Sequence, residues 1–238
     1  MKDEKTPQRA EGSTYKAALA LEDGSIFLGS GFGFPREVSG EGVFNTGMTG
    51  YTESLTDPSY SGQILVQTYP LIGNYGVPPR SLTDGFGIPL HYESDRIQVE
   101  GYIVQSLPPH PSHWASQQSL SQWLFDEKIP CLVGIDTRRL TKKLRMKGTM
   151  LGILKVAEEI DLDELVGRVG EVPDPNDRNL AEAVSVEKPV SHGVGNPIRI
   201  VLIDLGVKYG ILRELLARNM EVVRVPHNYP LDKILDLE

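Results

Sequence analysis

The chain has 238 residues, of which 39% are hydrophobic and 24% are charged, proportions that are ordinary for a folded globular protein. Its net charge of −8 argues against a general nucleic-acid binder, whose surface is basic, and no apolar run approaches the roughly 18 residues of a membrane helix. The single cysteine, Cys131, excludes an internal disulfide and a zinc site built from several cysteines.

The amino terminus, residues 1–14, reads MKDEKTPQRAEGST and mixes acidic and basic side chains without an apolar stretch. A secretory signal has an apolar core, and an Arg-rich transit peptide avoids acidic residues. We therefore interpret residues 1–14 as a disordered leader and expect a cytoplasmic protein.

The first predicted elements are two short strands joined by a tight turn. The apolar runs AALAL and SIFL flank Glu22-Asp23-Gly24, which favours a hairpin because glycine tolerates a positive φ. Residues 29–76 are rich in Gly, Thr, Ser and Tyr and lack helical periodicity, which favours further strands and tight turns. Asp57 followed by a proline is typical of a turn, and residues 77–96 predict a long loop.

Helical periodicity begins in the second half of this region. In SQQSLSQWLFDEK the apolar residues Leu120, Trp123 and Leu124 recur at helical spacing, with Ser119 or Ser116 as the amino-terminal cap. The run IPCLVGI is typical of a buried strand, and Asp136 then caps a second helix that ends at Gly148. With further strands at VEGYIV and MLGILKV, residues 15–156 are predicted to form an α+β domain.

The composition changes after this domain. Residues 157–197 are polar and contain several prolines, and we interpret them as a linker with a short helix at about 161–169. The run IRIVLIDLG predicts a strand buried on both faces of a parallel sheet, KYGILRELLARN an amphipathic helix and EVVRVP a second strand. This β–α–β order indicates that residues 198–238 begin an α/β domain, and so short a piece is not expected to fold alone.

Several short patterns point only weakly to chemistry. GSGFGF lacks the helix that a dinucleotide-binding glycine motif needs, and IDLGVKYG lacks the full glycine spacing. His110 and His113 have a possible metal-ligand spacing but no acidic or thiol partner nearby in the sequence. Cys131 lies inside an apolar strand, where burial raises the pKa of a thiol and makes it unreactive. We therefore favour turns, a loop and core packing over these sites, and expect no metal.

The helix predicted after Asp136 concentrates positive charge on an acidic protein. Its basic residues include Arg138, Arg139, Lys142 and Lys143. Such a row forms either an ordinary solvated face or a docking surface for a partner protein, and the sequence gives the two interpretations equal weight.

Four longer segments carry more information than any spacing. They are LEDGSIFLGSGFG, VFNTGMTGYTESLTDPSYSGQILVQTYPLIGNYG, GIDTRRLTKKLRMKGTMLG and VLIDLGVKYGILRELLARN, in that order. Over about residues 16–227 the chain resembles the carbamoyl-phosphate synthase small chain and, equally, the amino-terminal glutaminase region of the fused synthases.

The resemblance implies a small layered β/β/α amino-terminal domain followed by the first β–α–β unit of an α/β class I glutamine amidotransferase domain. It also implies a function, because this family hydrolyses L-glutamine and passes the ammonia to a large synthetase chain. That partner uses ATP with Mg and joins ammonia to bicarbonate, making carbamoyl phosphate for arginine and pyrimidine synthesis. For this chain itself we expect no cofactor and neither a nucleic acid nor a membrane as partner.

The resemblance also implies a mechanism. In this family a cysteine thiolate attacks the glutamine amide, a His–Glu pair moves the protons and backbone amides hold the oxyanion. These parts lie in motifs such as NGPGDP, GICLGHQ and HPE, which do not occur in this sequence. We therefore expect a chain that is cut off before its catalytic cysteine and holds no catalytic residue of its own.

One substrate contact is transferred from the family. The first serine of its DPSYS motif contacts the substrate glutamine, and that serine is Ser59 here. A hydroxyl can donate to and accept from an amide or a carboxylate, so the chemistry fits. The resemblance therefore favours ligand contact over a plain turn residue. Gly47, Thr49, Gly50 and Tyr51 are expected to shape the loop that presents Ser59.

Alternatives remain open at this point. Residues 77–96 are longer than in many stand-alone small chains and resemble the fused synthases, so the large component is either a separate subunit or part of one polypeptide. The chain is alternatively a non-catalytic docking or regulatory module that binds the synthetase through residues 136–147. A nucleotide-binding oxidoreductase is disfavoured, because the glycine fingerprint is incomplete and no acidic ribose ligand lies in context.

Overall fold

The computed structural model describes residues 15–237, so the leader predicted at residues 1–14 lies outside the described part of the chain. The described strands are β1 (Tyr15–Leu21), β2 (Ile26–Gly33), β3 (Glu37–Asn45), β4 (Gln63–Gln67), β5 (Gly101–Val104), β6 (Pro130–Val133), β7 (Met150–Ala157), β8 (Val190–His192), β9 (Ile198–Ile203) and β10 (Met220–Val225). The described α-helices are α1 (Tyr51–Thr56), α2 (Leu120–Asp126), α3 (Thr137–Lys147), α4 (Leu162–Val169), α5 (Leu180–Val184), α6 (Tyr209–Leu216) and α7 (Leu231–Leu235).

The first seven strands pair into a closed barrel. The ring runs β1-β2-β6-β5-β4-β3-β7 and closes where β7 pairs antiparallel with β1, with Leu154 opposite Leu19. The predicted hairpin is confirmed by the antiparallel pairing of β1 and β2. The mixture of strands and helices agrees with the predicted α+β class. In place of separate β layers, however, the sheet closes on itself, because each of these strands finds a partner along both edges.

Alternation along the strands divides the buried residues between the interior and the outside of the barrel, because successive side chains of a strand point to opposite faces. One buried cluster draws alternate residues from the strands, and its members include Leu19, Leu21, Phe27, Val38, Ile64, Val66, Ile103, Leu132, Leu154 and Val156. Helix α3 adds Leu140 and Leu144 to this cluster. The interior core is therefore filled by side chains and is covered by one helix.

Helices α2 and α3 begin at caps that the sequence predicts. The side chain of Ser119 accepts from the backbone nitrogen of Gln122 at 3.2 Å, which caps α2. The side chain of Asp136 accepts from the backbone nitrogen of Arg139 at 2.8 Å and caps α3, which ends at Gly148 with a φ of 91°. These caps satisfy amide groups that a helix end leaves without a partner in the helix.

The segment predicted as a linker, residues 157–197, holds regular structure that belongs to both parts of the molecule. Its helix α4, close to the short helix expected there, buries Leu165 and Val169 against β1 and β7. Its strand β8 pairs antiparallel with β10, with His192 opposite Val222. The second sheet therefore includes a strand that precedes residue 198 and lies in the segment predicted as a linker.

The predicted β–α–β unit is present, but its first strand is not buried as expected. β9 and β10 pair in parallel, and α6 connects them. The prediction that β9 is buried on both faces is wrong, since Ile198 and Ile203 are 53% and 50% exposed. Within residues 15–237, β9 pairs with β10 along one edge only, in a sheet of order β8-β10-β9. A strand at the edge of so small a sheet lacks the cover that an apolar run predicts.

The long loop predicted at residues 77–96 joins the barrel to the second sheet. The loop is pinned by single bridges, one of which pairs Thr83 with Pro89. Between these two residues, Ile88 packs in the same buried cluster as Leu212 of α6. The loop therefore leaves the barrel and fills part of the core of the second sheet.

Candidate functional site

The motif DPSYS forms a single 3-10 turn that presents Ser59 to solvent. One carboxylate oxygen of Asp57, Oδ1, accepts from the backbone nitrogen of Ser59 at 2.9 Å. Pro58 fixes the start of the turn and is buried, whereas Ser59 is exposed. The turn predicted from the sequence is confirmed.

The strand-to-helix turn after β9 faces the Ser59 turn. Asp204 is fully buried, and its Oδ1 accepts from the backbone nitrogens of Gly206 at 3.0 Å and Val207 at 2.8 Å. Gly206 has a φ of +95°, and a Cβ placed on it would lie 3.0 Å from the Cβ of Pro58. Glycine thus permits both the left-handed backbone and the close approach of the two turns.

An ion pair joins the two turns. The Nζ atom of Lys208 donates to Oδ2 of Asp57 at 2.6 Å, and the Asp57 side chain is only 14% exposed. Asp57 therefore uses one carboxylate oxygen for the backbone of Ser59 and the other for Lys208. The backbone at Ser59 is therefore held by a carboxylate that is itself paired with a residue of the second part of the molecule.

A cavity of about 380 Å³ lies beside this junction. Its lining includes Pro58, Tyr209 and Arg224 together with residues that precede β8. The Nη2 atom of Arg224 donates to Oδ2 of Asp204 at 2.6 Å, so the buried carboxylate of Asp204 is paired with a cation. The cavity reaches this turn at Pro58, and Ser59 is not one of the residues that line it.

The residues expected to support Ser59 lie at the opposite end of α1 from it. Gly47, Thr49 and Gly50 form the loop before α1, whereas Tyr51 is the first residue of the helix and is buried. The Tyr51 hydroxyl donates to the carbonyl oxygen of Gly76 at 2.6 Å, and burial raises its pKa. Tyr51 therefore belongs to the core beneath the loop and not to the loop itself.

Asn45 connects this loop to the Ser59 turn. Its Oδ1 accepts from the backbone nitrogen of Gly47 at 2.7 Å, and its Nδ2 donates to Oγ of Ser54 at 3.1 Å and to the Tyr60 hydroxyl at 3.3 Å. Sequence reasoning missed Asn45. The motif words VFNTG and DPSYS both contain a member of this network, but nothing in the sequence shows that they touch.

The candidates that the sequence disfavoured are not assembled into sites in the described structure. Cys131 is fully buried, and burial raises the pKa of its thiol, so its surroundings oppose the reactive thiolate. Among residues 15–237 no three His, Cys, Asp or Glu side chains gather closely enough to hold a metal ion. In the same residues, no helix combines the length and the apolar character needed to cross a membrane.

The four basic residues of α3 have two different environments. Arg138, Arg139 and Lys142 are exposed. Lys143 instead forms an ion pair with Asp23 in the turn between β1 and β2, and this contact lowers the pKa of Asp23 to about 2. The candidate docking surface therefore consists of the first three residues, and Lys143 serves the fold of the barrel.

Comparison with known proteins gives one consistent family. Residues 19–154 match the profile described as carbamoyl-phosphate synthase small chain, CPSase domain. The chain is 49% identical over 217 residues to a carbamoyl phosphate synthase small chain of Pyrococcus furiosus, a match that covers 91% of this chain and 57% of that one. It is 44% identical to a carbamoyl phosphate synthase arginine-specific small chain of Yarrowia lipolytica, covering 94% of this chain and 50% of the relative.

A longer relative shows similar identity. The chain is 46% identical to the mitochondrial carbamoyl-phosphate synthase (ammonia) of Aquarana catesbeiana, over 92% of this chain and 14% of the relative. The chain therefore spans about half of the length of the small chains it matches and a much smaller share of this longer protein.

Proposed function

This chain belongs to the family of carbamoyl-phosphate synthase small chains, and we propose that it forms part of a glutaminase component. In this role the component hydrolyses L-glutamine and supplies ammonia to a large synthetase chain. The observation that carries the proposal is the junction at Ser59, where Asp57 and Lys208 hold the turn that exposes this serine, and where Pro58 of the same turn lines a cavity.

The proposed partner is the carbamoyl-phosphate synthase large chain, either as a separate subunit or within one polypeptide. It would bind ATP and Mg and combine ammonia with bicarbonate to give carbamoyl phosphate for arginine or pyrimidine synthesis. The names of the relatives support this proposal, since they include small chains and a longer synthase. The cytoplasmic location expected from the amino terminus stays a prediction.

The proposed role of Ser59 is to bind glutamine by hydrogen bonds. A hydroxyl donates one hydrogen bond and accepts others, which suits an amide or an α-carboxylate. Because the backbone of Ser59 is held by Asp57, the turn that carries the hydroxyl is formed before a substrate binds. Loss of one such hydrogen bond to a charged group costs about 1.5–3 kcal/mol, which corresponds to roughly a tenfold or larger loss of affinity.

The test uses the complete protein assembled with its synthetase component. We expect Ser59→Ala to raise the KM for glutamine at least about tenfold in carbamoyl phosphate synthesis. Synthesis from ammonium chloride bypasses the glutamine site and should keep its rate. Ser112→Ala changes another exposed serine away from the junction and serves as the matched control. An unchanged KM for glutamine in Ser59→Ala would contradict the proposed contact.

A docking role for the exposed row on α3 is the second candidate. Arg138, Arg139 and Lys142 lie exposed on a protein with a net charge of −8, and a basic patch of this kind fits an acidic partner surface. In that case Arg139→Glu/Lys142→Glu should weaken association with the large chain. Lys128→Glu/Lys233→Glu reverses two exposed lysines elsewhere and is the matched control. Equal association of both double variants, measured by co-purification and by titration, would rule out docking through this helix.

A further inference from the structure

A second cavity lies on the barrel side of the molecule, at the amino-terminal end of α1 and away from Ser59. Its volume is about 450 Å³, a size that accommodates an amino-acid-sized ligand or a long side chain. Its lining includes Glu53, Asn74, Tyr75, Pro78, His91 and His113, and no residue of the second sheet takes part. The proposed glutaminase role does not use this cavity.

The ring of Tyr75 forms a fixed aromatic wall of the cavity. It stacks on Tyr51 with ring centroids 4.1 Å apart and an interplanar angle of 15°. Its hydroxyl oxygen accepts from the backbone nitrogens of Gly50 at 2.9 Å and Tyr51 at 3.1 Å. Because the ring is already held on one face and at its hydroxyl, little side-chain entropy is lost when a ligand packs against it.

Glu53 gives the cavity its charge. Among the described lining residues it is the one acid, and none of them is a lysine or an arginine. Its Oε2 accepts from the Thr52 hydroxyl at 2.8 Å, and its Oε1 lies 3.6 Å from Nδ1 of His91. That separation is longer than a good hydrogen bond, so Oε1 keeps acceptor capacity for a ligand. A partly buried carboxylate with no permanent cation beside it favours a positively charged group.

A tyrosine next to the cavity wall already carries a guanidinium on its ring. The guanidinium of Arg80 lies over the ring of Tyr92, 4.2 Å from its centroid. The Tyr92 hydroxyl donates at 2.5 Å to the carbonyl oxygen of Pro78, a residue of the cavity wall. A guanidinium is planar, stacks on aromatic rings and donates in its plane to carboxylates, whereas an ammonium group does not stack.

We propose that this cavity binds a guanidinium group. The group donates to Oε1 of Glu53 and packs along Tyr75, while its aliphatic stem lies against Pro78 and Ala115. Two sources carry this chemistry: free arginine and an arginine side chain of a partner protein. The two differ in whether an α-carboxylate and an α-amine are present to be recognised.

The first experiment titrates the full chain with three probes. L-Arginine represents the free amino acid, N-acetyl-L-arginine amide represents an arginine within a protein, and L-citrulline is the uncharged analogue. Calorimetry reports binding, as does tryptophan fluorescence, since the ring of Trp114 lies 5.5 Å from that of the cavity residue His113. We expect saturable binding of a guanidinium probe and at least about tenfold weaker binding of citrulline.

The preferred guanidinium probe identifies the source. Tighter binding of L-arginine supports the free amino acid, and equal or tighter binding of the capped probe supports a protein side chain. Absence of saturable binding by both guanidinium probes overturns the proposal, as does equal affinity for citrulline.

Variants locate the site. Glu53→Gln should weaken binding of the preferred probe by roughly tenfold or more, whereas Glu158→Gln, at an exposed carboxylate elsewhere, should leave it unchanged. Ala115→Phe fills the cavity from a partly exposed position and should abolish binding, which gives a second test if Glu53→Gln does not fold. Unchanged affinity in the folded variants overturns the assignment. The readout is independent of glutaminase activity, so its failure is distinct from a failure at Ser59.

Discussion

The barrel and the second sheet bury their apolar residues in different ways. In the barrel each strand has a neighbour on both sides, and Leu19, Ile64 and Leu154 are at most 1% exposed. In the second sheet Ile198 and Ile203 of the edge strand β9 are about half exposed. A ring of strands encloses its own core, whereas a sheet of three strands, as described in residues 190–225, leaves apolar side chains without cover.

The second sheet obtains part of its cover from the barrel. Ile88 on the barrel loop is buried with residues of α6 and β10. Arg213 of α6 reaches back with its Nε atom to Oδ2 of Asp84 at 3.0 Å, and the backbone nitrogen of Gly210 donates to Oε2 of Glu93 at 2.8 Å. The barrel therefore buries its apolar residues by itself, whereas the second sheet needs residues of this loop to complete its core.

The largest expected effect is in the barrel interior. Leu154→Ala removes a side chain that is 0% exposed and leaves a cavity, so we expect the free energy of unfolding to fall by about 2–5 kcal/mol. Leu28→Ala on β2 removes the same side chain at a position that is 58% exposed and should change it by less than about 0.5 kcal/mol. Urea unfolding followed by circular dichroism measures both. Similar losses in the two variants would mean that the interior does not dominate barrel stability.

A smaller and local effect is expected at the shared core. Ile88→Ala should destabilise the second sheet by about 2 kcal/mol, because it removes buried methyl groups between α6 and β10. Amide hydrogen exchange should therefore speed up in β10 while β1 and β7 keep their protection. Leu82→Ala, at a more exposed position on the same loop, is the matched control. Equal acceleration of exchange in β1 and β10 would show that the barrel and the second sheet unfold as one unit.

The features that the sequence predicts well are those set by residues close in the chain. The Asp-Gly turn, the caps Ser119 and Asp136 and the stop at Gly148 each depend on a side chain or a φ angle within a few residues. Local chemistry determines such features, so they can be read without knowing the rest of the fold. Helix α1 was not predicted, because it has only six residues and lies in a segment of turn-forming composition.

The features that the sequence does not predict need partners that are distant in the chain. Asp57 and Lys208 are 151 residues apart. The burial of β9 was predicted wrongly because it depends on which strands and helices lie beside β9 in the fold. A binding role for Ser59 is indicated only by the resemblance of whole motifs, because the local pattern indicates a turn. Asn45 links two motifs through contacts that the sequence does not show.

The smallest expected effect is an ion pair at the rim of the barrel. Lys143 lowers the pKa of Asp23 from the ordinary 3.8 to about 2, so Asp23 stays ionised in the folded chain at a pH where the unfolded chain has taken up a proton. The stabilisation is therefore present above about pH 4 and is lost as the pH falls towards 2. Lys143→Met should cost at most about 1 kcal/mol at neutral pH, since both side chains are partly exposed.

The pH dependence separates this ion pair from apolar packing. The difference in unfolding free energy between the wild type and Lys143→Met should shrink towards zero as Asp23 is protonated near pH 2. Lys142→Met, at the exposed neighbouring position, should show no such dependence. A difference that stays constant from pH 7 to about pH 2 would assign the effect to the packing of the lysine stem. A difference that vanishes near pH 2 would assign the effect to charge. Its size at neutral pH, at most about 1 kcal/mol, would then be the contribution of the ion pair, which is smaller than the loss expected for Leu154→Ala.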